Sequence, residues 1–147
     1  MKPPVKTSGS KGVHLYVPIV RGPAQKAVWI FAKALAVELA LRHPALMTSE
    51  YRVVRRPKGC VLVDYNQNRW GSTLASVYSG RPRATVSTSL TWGEVAGRAR
   101  TEDFRIDNVP ARVRARGDLW KPLLLARGRT DLDKFLLGKG RRSRARS

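Results

Sequence analysis

The sequence has few acidic residues, a single cysteine and no long apolar run. Asp and Glu number 10 against 29 Lys and Arg, which gives a formal net charge of +19. Such an imbalance favours a polyanionic partner, either nucleic acid or an anionic membrane face, and we favour nucleic acid. Cys60 has no second cysteine to pair with, so an intramolecular disulfide is excluded, and its place before an apolar strand is typical of a buried thiol in a reducing compartment.

Membrane insertion is not predicted either. The longest apolar stretch, Ala27–Leu41, is interrupted by Lys33 and Glu38, and the first six residues contain no apolar core of a signal peptide. We therefore expect a cytoplasmic, nucleoid-associated protein with no membrane partner.

The spacing of apolar residues predicts an α/β (α+β) domain. Val13–Val20 is rich in β-branched and aromatic residues and reads as a strand, and a helical period follows from Pro23 until Pro44. A second strand is predicted at Gly59–Asp64. A strand, a long helix and a second strand favour a mixed sheet packed on helices, in one domain of residues 1–137.

Shorter elements are predicted in the second half. Thr91–Glu94 matches the S/T-x-x-E capping box that begins a helix. Residues 138–147 are basic and lack apolar side chains, so we expect a disordered tail. The other predicted elements are an extended run Thr85–Leu90, a short strand Phe104–Ile106, a helix from Pro110 to Gly117, and terminal amphipathic helices Asp118–Arg127 and Leu132–Leu137.

A glycine- and serine-rich loop, Ser8–Gly12, precedes the first predicted strand. Its glycines allow backbone amides to approach a phosphate, its hydroxyls add donors, and Lys11 adds a positive charge. The spacing G-x-x-x-x-G-K-S/T is absent and a strand follows the loop, which excludes a P-loop NTPase. An ordinary polar turn explains the same residues.

Two other side chains are ambiguous in isolation. His14 could reach a bound triphosphate or could be a hydrogen-bonded core histidine, and Asp64 could face a ligand crevice at the end of its strand or form a turn. His43, at the end of the predicted helix, is explained by the helix dipole. His14, His43 and Cys60 lack the spacing of zinc ligands, so no zinc site is predicted.

Taken together, the segments Lys6–His14 and Val63–Asn68 resemble the second and third motifs of the primase-polymerase domain of bacterial DNA ligase D, a member of the archaeo-eukaryotic primase superfamily. The resemblance extends over about residues 3 to 125. Further matching segments are Tyr78-Ser79, Arg81, Val86–Thr88, Leu90–Trp92, Asp103–Pro110 and Asp118–Trp120.

The resemblance implies addition of nucleotides, preferably ribonucleotides, to DNA ends during non-homologous end joining, with Mn²⁺ or Mg²⁺. It implies that Ser8 and His14 hold the incoming nucleoside triphosphate with Lys11 nearby, and that Arg81 contacts the nucleotide or its phosphates. Asp64 is implied as the catalytic carboxylate and a ligand of the metal. The segment after Arg81 is shorter than is usual in the family.

One motif of the family is not found in the sequence. Its first motif, Asp-x-Asp, lies upstream of the Gly-Ser loop and supplies two further metal-binding carboxylates. Asp131-Leu-Asp133 has this spacing but lies in a late polar segment outside the resemblance. One carboxylate cannot organise two cations about 4 Å apart. We therefore expect the back half of a primase-type domain, with an incomplete first sheet and exposed strand edges, that is inactive alone and needs the missing N-terminal half. An upstream-encoded polymerase half or a ligase module is the expected protein partner.

Nucleic-acid contact depends less on that motif. Basic residues recur around the second strand, and Arg69-Trp70 places beside them an aromatic side chain that could stack on a base or pack in the core. Two alternatives therefore stay open. One is a non-catalytic basic nucleic-acid-binding protein, and the other is a decaying gene product.

Overall fold

The computed structural model describes residues 2–125 and 128–135. Two compact units make up the chain. Among the described residues, the first combines 2–19 with 75–125 and 128–130, and the second combines Val20–Leu74 with 131–135. The predicted tail, 138–147, lies outside the described residues, and the extent of the domain stays a prediction.

A three-stranded antiparallel sheet organises the first unit. Strands β1 (Val5–Thr7) and β2 (Val13–Leu15) form a hairpin, and β5 (Ser89–Leu90) pairs with the other side of β1, giving the order β2-β1-β5. Because side chains alternate along a strand, the two faces of β1 carry different chemistry. Val5 faces an apolar core, whose buried members also include Val86, Leu90, Phe104 and Val109.

The opposite face of this sheet is polar. Lys6 pairs with His14 on β2 and with Ser89 on β5, so these three residues form a row across the sheet. Tyr16 extends this face, and its ring packs edge-on against Trp120 with centroids 4.7 Å apart.

Short helices complete the first unit. α2 (Trp92–Ala96) begins with the predicted capping box, in which the Thr91 hydroxyl accepts from the Glu94 amide and the Glu94 carboxylate accepts from the Thr91 amide. α3 (Val109–Arg116) begins beside Pro110 and ends at Gly117, which has a left-handed φ of 74°. α4 spans Lys121–Leu124.

A long helix dominates the second unit. α1 (Gln25–Arg42) is followed by β3 (Met47–Thr48) and β4 (Val61–Leu62), which pair in parallel as a two-stranded sheet. Ala36 is the buried residue of α1. Large apolar side chains are exposed elsewhere along this helix, and they are Ile30, Leu35, Val37 and Leu41.

The predicted α/β class is confirmed, but several elements are shorter than predicted. Of the strand predicted at Val13–Val20, only Val13–Leu15 is paired as a strand, and of Gly59–Asp64 only Val61–Leu62. The partners β1 and β3 were missed because they contain three and two residues, too few to show a period. The strand before α1 and the strand after it belong to different sheets, so the predicted strand-helix-strand unit is wrong.

Two predictions near the C-terminus are also corrected. Phe104–Ile106 contributes one isolated bridge, between Thr85 and Arg105. The helix predicted over Asp118–Arg127 is limited to α4 within the described residues, and Leu132–Leu137 lies partly outside them. No helix in the described ranges is long and apolar enough to cross a membrane.

Candidate functional site

The Gly-Ser loop forms the turn of the β1–β2 hairpin in the first unit. The Ser8 amide donates to the Gly12 carbonyl over 2.8 Å, and the Ser8 hydroxyl accepts from the amides of Ser10 at 3.1 Å and Gly12 at 3.2 Å. Gly9 adopts a φ of 74°, a conformation that glycine reaches without the steric cost of a side chain. The loop is therefore held in one shape by its own serine, with Lys11 exposed beside Gly12.

Arg81 lies directly against this loop. A Cβ built on Gly9 would be 2.2 Å from Arg81 Cγ, so the aliphatic stem of the arginine occupies the space that any other residue at position 9 would need. The Arg81 amide donates to the Thr85 carbonyl over 2.8 Å, and the Thr85 hydroxyl donates to the Gly9 carbonyl over 2.9 Å. The short segment after Arg81 closes through Arg83 and Ala84, both with positive φ.

His14 lies on the polar face of the hairpin. It is half-buried, it pairs across the strands with Lys6, and its ring centroid is 6.5 Å from that of Tyr16. The first unit thus brings four predicted site residues, Ser8, Lys11, His14 and Arg81, to one hairpin and the turn that packs on it.

Lys6 begins the motif segment Lys6–His14, but no local pattern assigns it a role. Its side chain is fully buried, and its ammonium donates a 2.6 Å hydrogen bond to Ser87 Oγ. Ser87 Oγ in turn donates to the Thr7 carbonyl over 2.7 Å. Burial, and then the positive charge of Arg81, lower the pKa of Lys6 from 10.5 to about 8.

A cavity of about 320 Å³, open to solvent, lies on the other side of the hairpin. Thr7 and Val13 line it, and these residues point away from the face that carries Lys6 and His14. The remaining lining residues come from the loop tip and from the segment 99–102.

Asp64 belongs to the second unit, two residues after β4. It is exposed, and its Oδ1 accepts hydrogen bonds from the Tyr51 hydroxyl at 2.6 Å and from the Asn66 amide at 2.9 Å. Oδ2 accepts from Gln67 Nε2 at 3.1 Å. The bond to the Asn66 amide is the turn-forming contact expected of an aspartate at a strand end, and the other two fix the orientation of the carboxylate.

Tyr51 connects Asp64 to the following backbone. Its hydroxyl also accepts from the amides of Tyr65 at 2.9 Å and Asn66 at 3.0 Å. Burial and then the hydrogen bond to Asp64 raise the pKa of Tyr51 to about 12. Sequence reasoning missed this residue, because no local pattern links a tyrosine to a carboxylate 13 positions later.

The side chains of the described ranges do not complete a metal site. A divalent cation prefers six or more oxygen ligands, of which a protein usually supplies several. No group of three or more His, Cys, Asp or Glu side chains that could hold a metal occurs among the described residues. Asp64 therefore fits one ligand position of such a site and no more.

An exposed aromatic side chain lies near Asp64 in the sequence. Trp70 is 84% exposed, so the alternative that it packs in the core is wrong. Its neighbour Arg69 is also exposed. An exposed indole beside a guanidinium can stack on an unpaired base.

The sequence and the fold both have relatives. Residues 1–120 match the family described as LigD, primase-polymerase domain. The multifunctional non-homologous end joining protein LigD of Mycolicibacterium smegmatis is 36% identical over 119 residues, which are 80% of this chain and 15% of that protein. The bifunctional non-homologous end joining protein LigD of Bacillus subtilis is 30% identical over 115 residues, which are 76% of this chain and 19% of the relative.

A solved structure is similar as well. It is the polymerase domain from Mycobacterium tuberculosis ligase D in complex with DNA, with a TM-score of 0.76 and 36% identity, covering 82% of this chain and 42% of that one. The chain thus spans less than half of that domain and under a fifth of the two curated relatives. The motif residues, the fold and these matches agree, and the chain belongs to the primase-polymerase domain family of LigD.

Proposed function

We propose that this chain provides the nucleotide-binding hairpin and one metal-binding carboxylate of a ligase D-type primase-polymerase. Such an enzyme transfers nucleotides to DNA ends in non-homologous end joining. The observation that carries the proposal is the grouping of Ser8, His14 and Arg81 around one hairpin in a chain of this family.

The hairpin supplies what a triphosphate needs. Arg81 and Lys11 bring positive charge to the loop, and the hydrogen bonds of Ser8 hold the loop in shape before any ligand arrives. A preorganised loop binds more tightly because less order has to be imposed on binding. His14 adds a donor from the polar face of β2.

Asp64 contributes one carboxylate to the metal site. Because the described residues supply one ligand position, we propose that Mn²⁺ or Mg²⁺ binds only when further carboxylates come from a polypeptide segment outside these 147 residues. That segment would be the front part of the polymerase domain. A ligase module is a further candidate partner, since the curated relatives are multifunctional or bifunctional proteins.

DNA is the second proposed ligand. The net charge of +19 and the exposed Arg69-Trp70 pair suit a single strand, and the similar solved polymerase domain is in complex with DNA. We expect log K for single-stranded DNA to fall with log salt by about 0.7 per neutralised phosphate.

The deciding experiment is primer extension with Mn²⁺, in which the full chain is mixed with a polypeptide that carries an Asp-x-Asp motif from the family. Extension should require both chains and should be lost in Asp64→Asn. Asp107→Asn, at an exposed acid paired loosely with Arg105 over 3.8 Å, is the matched control and should extend normally. Absence of extension, with both chains folded and bound to DNA, would contradict the proposed reaction.

One observation favours a second candidate, a non-catalytic basic nucleic-acid-binding protein. It is the incomplete set of metal ligands among the described residues. This candidate predicts DNA binding that depends on salt but is unchanged by Asp64→Ala or His14→Ala, and no metal-dependent affinity for nucleoside triphosphate. Cooperative thermal melting of the purified chain separates both functions from a decaying gene product, which should melt without cooperativity.

A further inference from the structure

Among the described residues, no carboxylate forms a salt bridge with the buried Lys6 ammonium. Its side chain has no solvent exposure. It donates a hydrogen bond to the neutral Ser87 hydroxyl, and its ammonium lies 5.9 Å from the centroid of the Tyr16 ring. An ammonium has three donors, so this environment compensates the charge only partly.

The groups that face Lys6 do not supply a negative charge at close range. Across β5, Ser89 Oγ is hydrogen-bonded to the Tyr78 hydroxyl at 2.9 Å, and Tyr78 donates to Asp118 Oδ1 over 2.6 Å. Asp118 is thus the first acid on this path, two hydrogen bonds beyond Ser89. The other titratable or charged groups that face Lys6 are His14 across β2, Tyr16, Arg81, and Arg112, which donates to the Ser89 carbonyl.

The partly compensated charge of Lys6 is coupled to the Gly-Ser loop through Arg81. Lys6 is two residues before Ser8, and it interacts electrostatically with Arg81, whose stem covers Gly9. The repulsion between the positive charges of Lys6 and Arg81 destabilises the free protein. A polyanion bound at the loop would offset this repulsion. A methionine would fill the same space without the cost of burying a charge. Perturbed charged groups that break such a local rule cluster at functional sites.

We propose that the Lys6 ammonium is a positioning charge for the triphosphate of the incoming nucleotide. It strengthens polyphosphate binding at the Gly-Ser loop from its buried position on β1, without contacting the ligand. The inference rests on the proposed function and adds to it a buried residue that acts through the field of a low-dielectric interior, where charges interact more strongly than in water.

The first test is equilibrium binding of ATP and of inorganic tripolyphosphate to the full chain, comparing Lys6→Met with Lys2→Met. The two variants lose the same formal charge, but Lys2 is exposed. Lys6→Met should weaken both ligands roughly tenfold, Lys2→Met should have little effect, and Lys6→Arg should recover part of the loss. A single-stranded DNA arm distinguishes the source of phosphate, because Lys6→Met should weaken DNA binding no more than Lys2→Met does.

The second test uses a readout that a purely structural role would not move. A polyanion beside a partly deprotonated lysine raises its pKa, so binding takes up protons. At about pH 8.5, close to the lowered pKa of Lys6, we expect uptake of roughly half a proton per triphosphate. Calorimetry in two buffers of different ionisation enthalpy measures this uptake in the wild type, in His14→Ala and in Lys6→Met, and only Lys6→Met should lose it.

The outcomes separate this inference from the proposed function. If the wild type and Lys6→Met bind ATP equally and neither takes up protons, the role of Lys6 is overturned and the nucleotide site stands. If the wild type binds neither ATP nor tripolyphosphate, both are overturned. Should Lys6→Met fail to fold by circular dichroism, Lys6→Gln takes its place, and equal affinities of Lys6→Gln and the wild type for ATP and tripolyphosphate contradict the role of Lys6.

Discussion

The hydroxyl of Tyr51 donates a 2.6 Å hydrogen bond to Asp64 Oδ1 and accepts hydrogen bonds from two backbone amides that follow the aspartate. One side chain therefore holds both the carboxylate and the turn after β4. This contact determines where the Asp64 carboxylate points. The position of the aspartate in the sequence does not predict that orientation.

Tyr51→Phe removes all three of these hydrogen bonds while keeping the ring. We expect a loss of about 1 to 2 kcal/mol in the free energy of unfolding, because the amides of Tyr65 and Asn66 lose an acceptor. Urea denaturation measures it. Tyr16→Phe is the control, since the Tyr16 hydroxyl makes no hydrogen bond within the described ranges; equal losses in the two variants would contradict the assignment.

Gly9→Ala should destabilise the hairpin. The residue has a φ of 74°, and the new methyl group would be 2.2 Å from Arg81 Cγ, so we expect a cost of about 2 to 3 kcal/mol from backbone strain and overpacking. Gly12→Ala is the matched control in the same loop, because nothing lies within 4 Å of its Cβ position.

A second substitution at Arg81 tests whether the lost stability can be recovered, and thermal or urea melting measures it. Gly9→Ala combined with Arg81→Ala should recover the part of the loss that comes from overpacking against Arg81 Cγ and Cδ, but not the part from Arg81 Cβ, at 2.9 Å, or from φ. Additive losses in the double variant would show that the two side chains do not meet.

Lys6→Met should make the chain more stable at neutral pH. The pKa of Lys6 is about 8 in the folded chain against 10.5, so the unfolded chain binds more protons between these values and the stability of the wild type rises with pH there. The penalty for the buried charge is fully present below pH 8 and corresponds to about 3 kcal/mol. Urea melts at several pH values should show the advantage of Lys6→Met shrinking between about pH 8 and 10.5, and a constant advantage would contradict the buried charge.

Glu94→Gln should weaken the start of α2. Burial tends to raise the pKa of Glu94, but the hydrogen bonds from Thr91 and the charge of Arg112, 2.8 Å away, outweigh it and lower the pKa below 4.5. A lowered carboxylate pKa stabilises the fold above the unfolded value and loses that contribution as pH falls through the folded one. We expect a cost of about 1 to 2 kcal/mol at pH 7 that disappears in acid.

Thermal melts from pH 7 to pH 3 measure this difference. Glu102→Gln is the control, since its pair with Arg100 spans 3.6 Å between exposed side chains and exposed pairs contribute little. A cost that persists below the folded pKa would mean that packing, and not charge, explains the effect.

Trp70→Ala should leave stability unchanged and weaken binding of single-stranded DNA. The side chain is 84% exposed, so it contributes little to the fold, while stacking on a base is worth about 1 to 3 kcal/mol. Fluorescence anisotropy with a labelled oligonucleotide measures the change. Val54→Ala, at a valine 94% exposed that cannot stack, should bind like the wild type.

Local signals predicted parts of this fold well. Pro110 and Gly117 mark the ends of a helix observed at Val109–Arg116, and both hydrogen bonds of the predicted capping box at Thr91 are present. These features depend on residues a few positions apart, so a single sequence contains the information. Strands of two or three residues cannot be predicted in this way, because their pairing depends on partners that lie far apart in the sequence, as β1 and β5 do.

The same distinction applies to the candidate site. The motifs predict roles for Ser8, His14, Asp64 and Arg81, which stay predictions, whereas no motif predicts the buried contact of Lys6 with Ser87, 81 positions away. The packing of Arg81 on Gly9, and the positive φ of Arg83 and Ala84 that follow it, are also not visible in the local sequence. Long-range packing decides how these side chains are oriented, and local sequence decides only which are present.

The exposed apolar side chains along α1 favour association between copies of the chain, whereas the high net charge opposes it. Ile30, Leu35 and Leu41 are 49%, 45% and 76% exposed on a chain of charge +19. At low ionic strength electrostatic repulsion keeps copies of the chain apart. As salt shortens the Debye length to about 8 Å or less, contacts between these exposed apolar side chains favour association of the copies. Light scattering recorded along each salt titration therefore gives the highest ionic strength at which the chain is still monomeric. The slope of log K for single-stranded DNA against log salt should be measured below that value.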